Sequence, residues 1–162
     1  CRLLEELLDD PLFEMIIIAE GGATANPQTN PSWEGRDAYH HVPAALVEDP
    51  DAIIMAYGTN DLFQGYDPTS LRTALEEHAA TASALGKDVF MATVPPIIDA
   101  FPQTVTWLAS ANSQIRATFD PTRVVEFHDG FAAEHFHADR FHLNALGQQL
   151  RAERAFAVLA VP

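Results

Sequence analysis

Asp139 and His142 stand three residues apart in Asp139-Arg140-Phe141-His142-Leu143-Asn144. At a turn or helix start, that spacing lets the carboxylate accept the imidazole Nδ1–H. The aspartate then fixes the tautomer and leaves Nε2 available as a base. Two further segments carry complementary groups. Glu20-Gly21-Gly22-Ala23-Thr24 presents the backbone N–H of Gly22, and Gly58-Thr59-Asn60-Asp61 presents the carboxamide of Asn60. A backbone amide and a carboxamide are the donors that stabilise a developing oxyanion. Together these groups make up most of an acyl-transfer site, short of its nucleophile.

The surrounding pattern predicts how these groups are positioned. Leu3, Leu4, Leu7 and Leu8 have helical spacing over Arg2–Leu8, and Asp9-Asp10-Pro11 stops it. Glu14–Ala19 (EMIIIA) and Ala52–Tyr57 (AIIMAY) read as strands buried on both faces, and Lys87–Val94 and Arg123–Phe127 as two more. The polar stretch between Gly22 and Asp37, with Pro27, Asn30 and Pro31, reads as a surface loop. Asp37–Glu48 is expected to be a short helix broken by Pro43. Asp67-Pro68 is a strong helix start, with Leu71, Leu75, His78, Ala79, Ala82 and Leu85 as its apolar stripe and Gly86 as its end. Val105, Leu108, Ile115 and Phe119 mark another helix, and the last runs from about Asn144 to Ala157. Strands separated by helices imply an α/β fold with a parallel sheet covered on both faces. Ligands bind such sheets beyond the carboxyl ends of their strands, where Gly22 and Asn60 fall.

In order and in setting, these motifs resemble the SGNH hydrolases, the GDSL esterase/lipase family. Gly22 in GGAT resembles the family's second block, Asn60 in GTND its third, and Asp139 with His142 in DRFHLN its fifth. The resemblance extends from about Leu3 to Leu159. It implies a three-layer α/β/α sandwich on a five-stranded, flavodoxin-like parallel sheet of order 2-1-3-4-5, within a single domain spanning 1–162. It also implies a serine esterase acting on small-molecule carboxylic esters, with Asp139 and His142 completing a triad and Gly22 and Asn60 in the oxyanion hole. That mechanism uses no metal and no organic cofactor.

One block is absent. Ser32, Ser70, Ser83, Ser110 and Ser113 are the serines, and none follows a strand in a Gly-Asp context. GxSxG is absent too. The nucleophile is therefore expected upstream of Cys1, on a loop after a first strand that this sequence does not contain. In the implied strand order, that strand lies between EMIIIA and AIIMAY. Without it, both would leave rows of backbone groups unpaired, at about 1–3 kcal/mol for each buried group. The strand is thus expected from outside this sequence, with Ala155–Val161 as a weaker substitute. Direct pairing of EMIIIA with AIIMAY would contradict this expectation.

Composition narrows the alternatives. The 162 residues carry 9 Lys+Arg against 23 Asp+Glu, a net charge of −14. Such a surface repels phosphate backbones and anionic lipid, which argues against nucleic-acid and membrane roles. The low lysine content is also compatible with a salt-rich habitat. The longest apolar runs fall far short of the roughly 20 residues a spanning helix needs. The one cysteine, Cys1, excludes an internal disulfide; it opens a helix pattern, a poor setting for a nucleophile. His128, Asp129, Glu134, His135 and His137 crowd the segment before the Asp139–His142 pair, without the spacing of a hydrolytic metal site. His40-His41 reads as a surface pair and His78 as a core histidine with a hydrogen-bond partner. Trp33, Phe63, Tyr66, Phe101 and Trp107 are candidates for an acyl or aromatic pocket as well as for packing. Two other functions stay open: a non-catalytic binding module, and an acyltransferase that prefers an alcohol acceptor to water.

Overall fold

The computed structural model describes residues 4, 7, 14–97 and 102–159. Three parallel strands form its sheet: β1 (Ala52–Met55), β2 (Asp88–Ala92) and β3 (Val124–Val125), in the order β1-β2-β3. Ile53 pairs with Val89 and Met55 with Met91, while Ala92 pairs with Val125. Side chains alternate between the two faces of a strand. Val89 and Met91 accordingly enter one core, while Phe90 and Ala92 face the other.

Helices cover both faces, which gives the three layers. α1 (Ala38–Val47) precedes β1, α2 (Thr59–Phe63) and α3 (Pro68–Ser83) follow it, α4 (Pro102–Thr118) connects β2 to β3, and α5 (Ala145–Leu159) comes last. Leu71 and Leu75 of α3 and Leu108 and Ile115 of α4 fill the first core. Ala152 and Ala155 of α5 join Leu4, Val125 and Phe127 in the second. Asp67 caps α3 by accepting the N–H groups of Thr69 and Ser70, as its sequence predicts. Asn144 caps α5 by accepting the Gly147 N–H at 3.1 Å. Among the described residues, no helix is long and apolar enough to cross a membrane.

Several expectations need correction. Glu14–Ala19 forms no strand: Ile16 and Ile17 are exposed, and Met15 packs partly against the second core. A β-branched run becomes a strand only where a neighbour accepts its backbone groups. β1 pairs only with β2 among the described residues, so EMIIIA does not pair with AIIMAY. The residues 155–159 belong to α5 and do not act as a substitute strand. Pro43 sits within α1 without breaking it; it removes one intrahelical bond, while the Asp37 cap and buried Ala38, His41 and Val42 hold the helix. His41 is buried, unlike its exposed neighbour His40, so the two are not a surface pair. The stretch after Gly22 is not wholly superficial, since Thr24, Ala25 and Asn26 are buried. Val105 and Leu85 lie exposed outside the stripes expected for them. The expected Arg2–Leu8 helix falls outside the described residues except for Leu4 and Leu7, which are helical. Phe101 also lies outside them.

Candidate active site

The end of β1 runs straight into the Asn60 segment. Gly58 makes that turn with φ +116, and a Cβ there would come within 2.4 Å of Val94 Cγ2 and 3.0 Å of Leu71 Cδ2. Only glycine fits, on both counts. α2 then begins, and its residues, with Tyr66 just beyond it, grip the Gly22 loop at successive points. The Asn60 carboxamide donates to the Ala23 carbonyl at 3.0 Å. Asp61 is fully buried. Its Oδ2 accepts the Ala25 N–H at 2.9 Å, and its Oδ1 accepts the Asn26 N–H at 3.0 Å and the Asn26 carboxamide at 2.7 Å. The Tyr66 hydroxyl donates to the Pro27 carbonyl at 2.6 Å. From the other side, His78 Nε2 bonds the Ala25 carbonyl at 3.0 Å, which gives this core histidine the partner its burial demands.

Gly22 has φ +85, and a Cβ there would press on the Trp33 ring at 3.2 Å. Its carbonyl is approached by the carboxamides of Gln28 and Gln64, each at 3.5 Å. Gly22 and Asn60, 38 positions apart in sequence, are thus brought into one loop–helix unit. One N–H of the Asn60 amide is committed to Ala23, which fixes the orientation of the carboxamide and leaves its second N–H to donate elsewhere.

A separate turn builds the Asp139–His142 pair. Asp139 Oδ1 accepts the N–H groups of Phe141 and His142, both at 2.9 Å. Its Oδ2 meets His142 Nδ1 at 2.9 Å. Arg140, with φ +57, lets the chain fold back so that one carboxylate serves all three groups. The His142 N–H groups, backbone first and then ring, and the Phe141 N–H hold the Asp139 carboxyl well below the usual carboxylate range. His142 Nε2 has no hydrogen-bond partner among the described residues, and 72% of the side chain is exposed. Nε2 is therefore exposed and available to a proton-bearing group.

Asn144 anchors this turn by donating to the carbonyls of Glu134 (2.7 Å) and Phe136 (3.0 Å). Gly147 lets α5 approach closely, since a Cβ there would stand 2.2 Å from the His135 carbonyl oxygen. A pair of aromatic contacts links the two halves of the site. Phe63, at the end of α2, meets Phe141 edge to face with centroids 5.0 Å apart, and Phe141 meets His142 likewise at 4.9 Å.

Sequence reasoning missed Asp61, Phe141 and Gly147. No local signal marks Asp61 as an anchor of a distant loop, whereas Gly147 stands as a lone glycine in a helical pattern. Among the described residues, one group of possible metal ligands exists, Glu126, His128 and Asp129. Glu126 already accepts from Thr93 Oγ1 and from the His128 and Asp129 N–H groups, and it pairs with Arg116. A cation there would displace an arginine. Tyr57, at the mouth of β1, has its hydroxyl pushed up to about 12, mainly by burial and further by the charges of Asp37 and Asp61. It stays protonated against His41 Nδ1, 3.2 Å away.

Residues 1–150 match the family model of the GDSL-like lipase/acylhydrolase family. The chain belongs to that family. No match to it was found among curated proteins. Among solved structures, it resembles a member of the lipolytic G-D-S-L family from Veillonella parvula, with a TM-score of 0.66 at 20% identity, covering 80% of this chain and 78% of that one. It also resembles a carbohydrate esterase family 3 protein from Talaromyces cellulolyticus, with a TM-score of 0.62 at 16% identity over 80% and 71% of the two chains. A third is the psychrotrophic esterase EstA from Pseudoalteromonas sp., solved inhibited by monoethylphosphonate, with a TM-score of 0.55 at 15% identity over 78% and 73%. These likenesses establish a shared α/β fold, and the family supports ester hydrolysis.

Proposed function

We propose that the protein is a serine esterase hydrolysing small-molecule carboxylic esters, and that this chain holds its oxyanion donors and its acid–base pair. The observation that carries the reading is the Asp139–His142 pair at 2.9 Å with Nε2 free, joined to the Asn60 helix through Phe141 and Phe63. The nucleophile is assigned to a serine outside this sequence, upstream of Cys1. Ser70 Oγ is committed to Asp67 and Ser110 Oγ accepts from Gln114, while Ser83 and Ser113 lie on the exposed sides of α3 and α4 and Ser32 lies in the 3-10 turn Pro31–Trp33.

The serine hydroxyl attacks the ester carbonyl as His142 Nε2 takes its proton. The imidazolium that forms is stabilised by ionised Asp139. The carbonyl oxygen becomes an oxyanion held by the Gly22 N–H, the second Asn60 N–H and the serine's own N–H. Collapse breaks the bond to the alcohol oxygen, which leaves with the proton from His142. Water then adds to the acyl-enzyme, giving its proton to His142; collapse breaks the bond to the serine oxygen, which takes that proton from His142 as the carboxylic acid departs. That one neighbour in fold is named as a carbohydrate esterase family 3 protein and another as a psychrotrophic esterase supports esters as the substrate class.

The reading is tested by treating the full-length protein with a fluorophosphonate and mapping the adduct. One adduct on a serine outside Ser32, Ser70, Ser83, Ser110 and Ser113, formed far more slowly in His142→Ala, is expected. Absence of any adduct on an otherwise folded protein would leave a binding module as the better description.

A further inference from the structure

Phe63 is 49% exposed, one of nine exposed large apolar side chains among the described residues. It follows Asn60 by three residues on α2, so the two lie on the same side of the helix. Its ring rests edge to face on Phe141, 5.0 Å away at 73°. Phe141 is itself anchored, packing partly against the main core and meeting the His142 ring at 4.9 Å and 83°. A ring that only packed would gain by turning inward, since burying a phenylalanine is worth about 1.5–3 kcal/mol. Phe63 instead stays half exposed, on the helix that carries Asn60 and linked to the His142 ring through Phe141.

We propose that the exposed face of Phe63, backed by Phe141, binds the alcohol half of the ester, and that it selects a ring-bearing alcohol without negative charge. The inference rests on the esterase reading of this site. The carbonyl oxygen must point toward Gly22 and Asn60, and the leaving oxygen must come within reach of His142 Nε2. The alcohol therefore extends along the side of His142 on which Phe141 and Phe63 lie. An aromatic face recognises another flat apolar face, either an aryl ring or the C–H face of a sugar ring. With a net charge of −14, the protein disfavours an anionic alcohol.

The test compares an aryl acetate, an acetylated methyl pyranoside and methyl acetate on the full-length protein, with Phe63→Ala and Phe63→Leu. The acyl group is constant, so only the alcohol is read. The ratio of kcat/KM for the ring-bearing acetates over methyl acetate is expected to fall about tenfold in Phe63→Ala, mostly through KM. Phe63→Leu, which keeps apolar bulk but loses the flat face, is expected to fall too. The ring-bearing substrate that loses more identifies the natural alcohol as aryl or sugar. An unchanged ratio in both variants would overturn the proposal. A His142→Ala protein as active as the wild type would overturn the esterase reading itself, a separate result from any change at Phe63.

Discussion

Asn60 and Ala23 are tied by a 3.0 Å hydrogen bond from the carboxamide to the carbonyl. The carboxamide proposed as an oxyanion donor is therefore fixed to the loop that carries the Gly22 N–H. Preorganised donors of this kind need no reorganisation as charge develops. Asp61, the next residue, completes the arrangement by holding the Ala25 and Asn26 amides. Two consecutive side chains of one short helix thus set the shape of the whole loop.

Asn60→Ala and Asp61→Asn should separate those two roles. Asn60→Ala removes a donor and one hydrogen bond to the loop, and is expected to lower kcat about 10²- to 10³-fold at a stability cost of about 1 kcal/mol. Asp61→Asn places an amide N–H against backbone N–H groups in a buried site, at a cost of about 1.5–3 kcal/mol. It should lower both the melting temperature and kcat. Kinetics and thermal melts on the same preparations check both; a near-normal kcat in Asn60→Ala would remove that residue from the oxyanion site.

Much of this architecture is legible locally and some is not. The Asp67 and Asn144 caps and the apolar runs of β1 and β2 depend on neighbours a few residues away, so their sequence suffices. The Asp139–His142 pair is likewise a three-residue event. Asp61 is different: its partners lie 35 and 36 positions upstream, and no spacing rule reaches that far. The burial of Thr24 to Asn26 is invisible for the same reason, because a polar loop becomes interior only when another element satisfies its amides. EMIIIA has the composition of a strand, yet composition supplies no partner.

Gly147 offers a test of how α5 sets the acid–base turn. A methyl group there would meet the His135 carbonyl at 2.2 Å, and backbone must move to admit it. Gly147→Ala should destabilise the protein by about 1–3 kcal/mol, lowering Tm by roughly 2–4 °C per kcal/mol for a chain of this size. Gly21→Ala is the control: nothing lies within 4 Å of its added Cβ, and its Tm should hold. Equal Tm for both variants would contradict the close approach.

Asp139 makes a prediction about pH. Its carboxyl lies well below the usual value of 3.8, first through the His142 backbone N–H and then through the His142 ring and the Phe141 N–H. A depressed pKa means that these bonds are fully present above about pH 4 and are lost only as pH falls through the lower, folded value. Carbon-detected NMR should therefore show the Asp139 carboxyl ionised throughout pH 4 to pH 8. A midpoint at or above the ordinary aspartate value would mean that the turn is not held as described.

The most direct test of the central claim is turnover of p-nitrophenyl acetate by full-length protein carrying His142→Ala. If His142 is the base and proton donor held by Asp139, kcat/KM should fall by at least about 10³-fold, with the fold intact by circular dichroism. A folded His142→Ala protein within tenfold of the wild type would contradict the account.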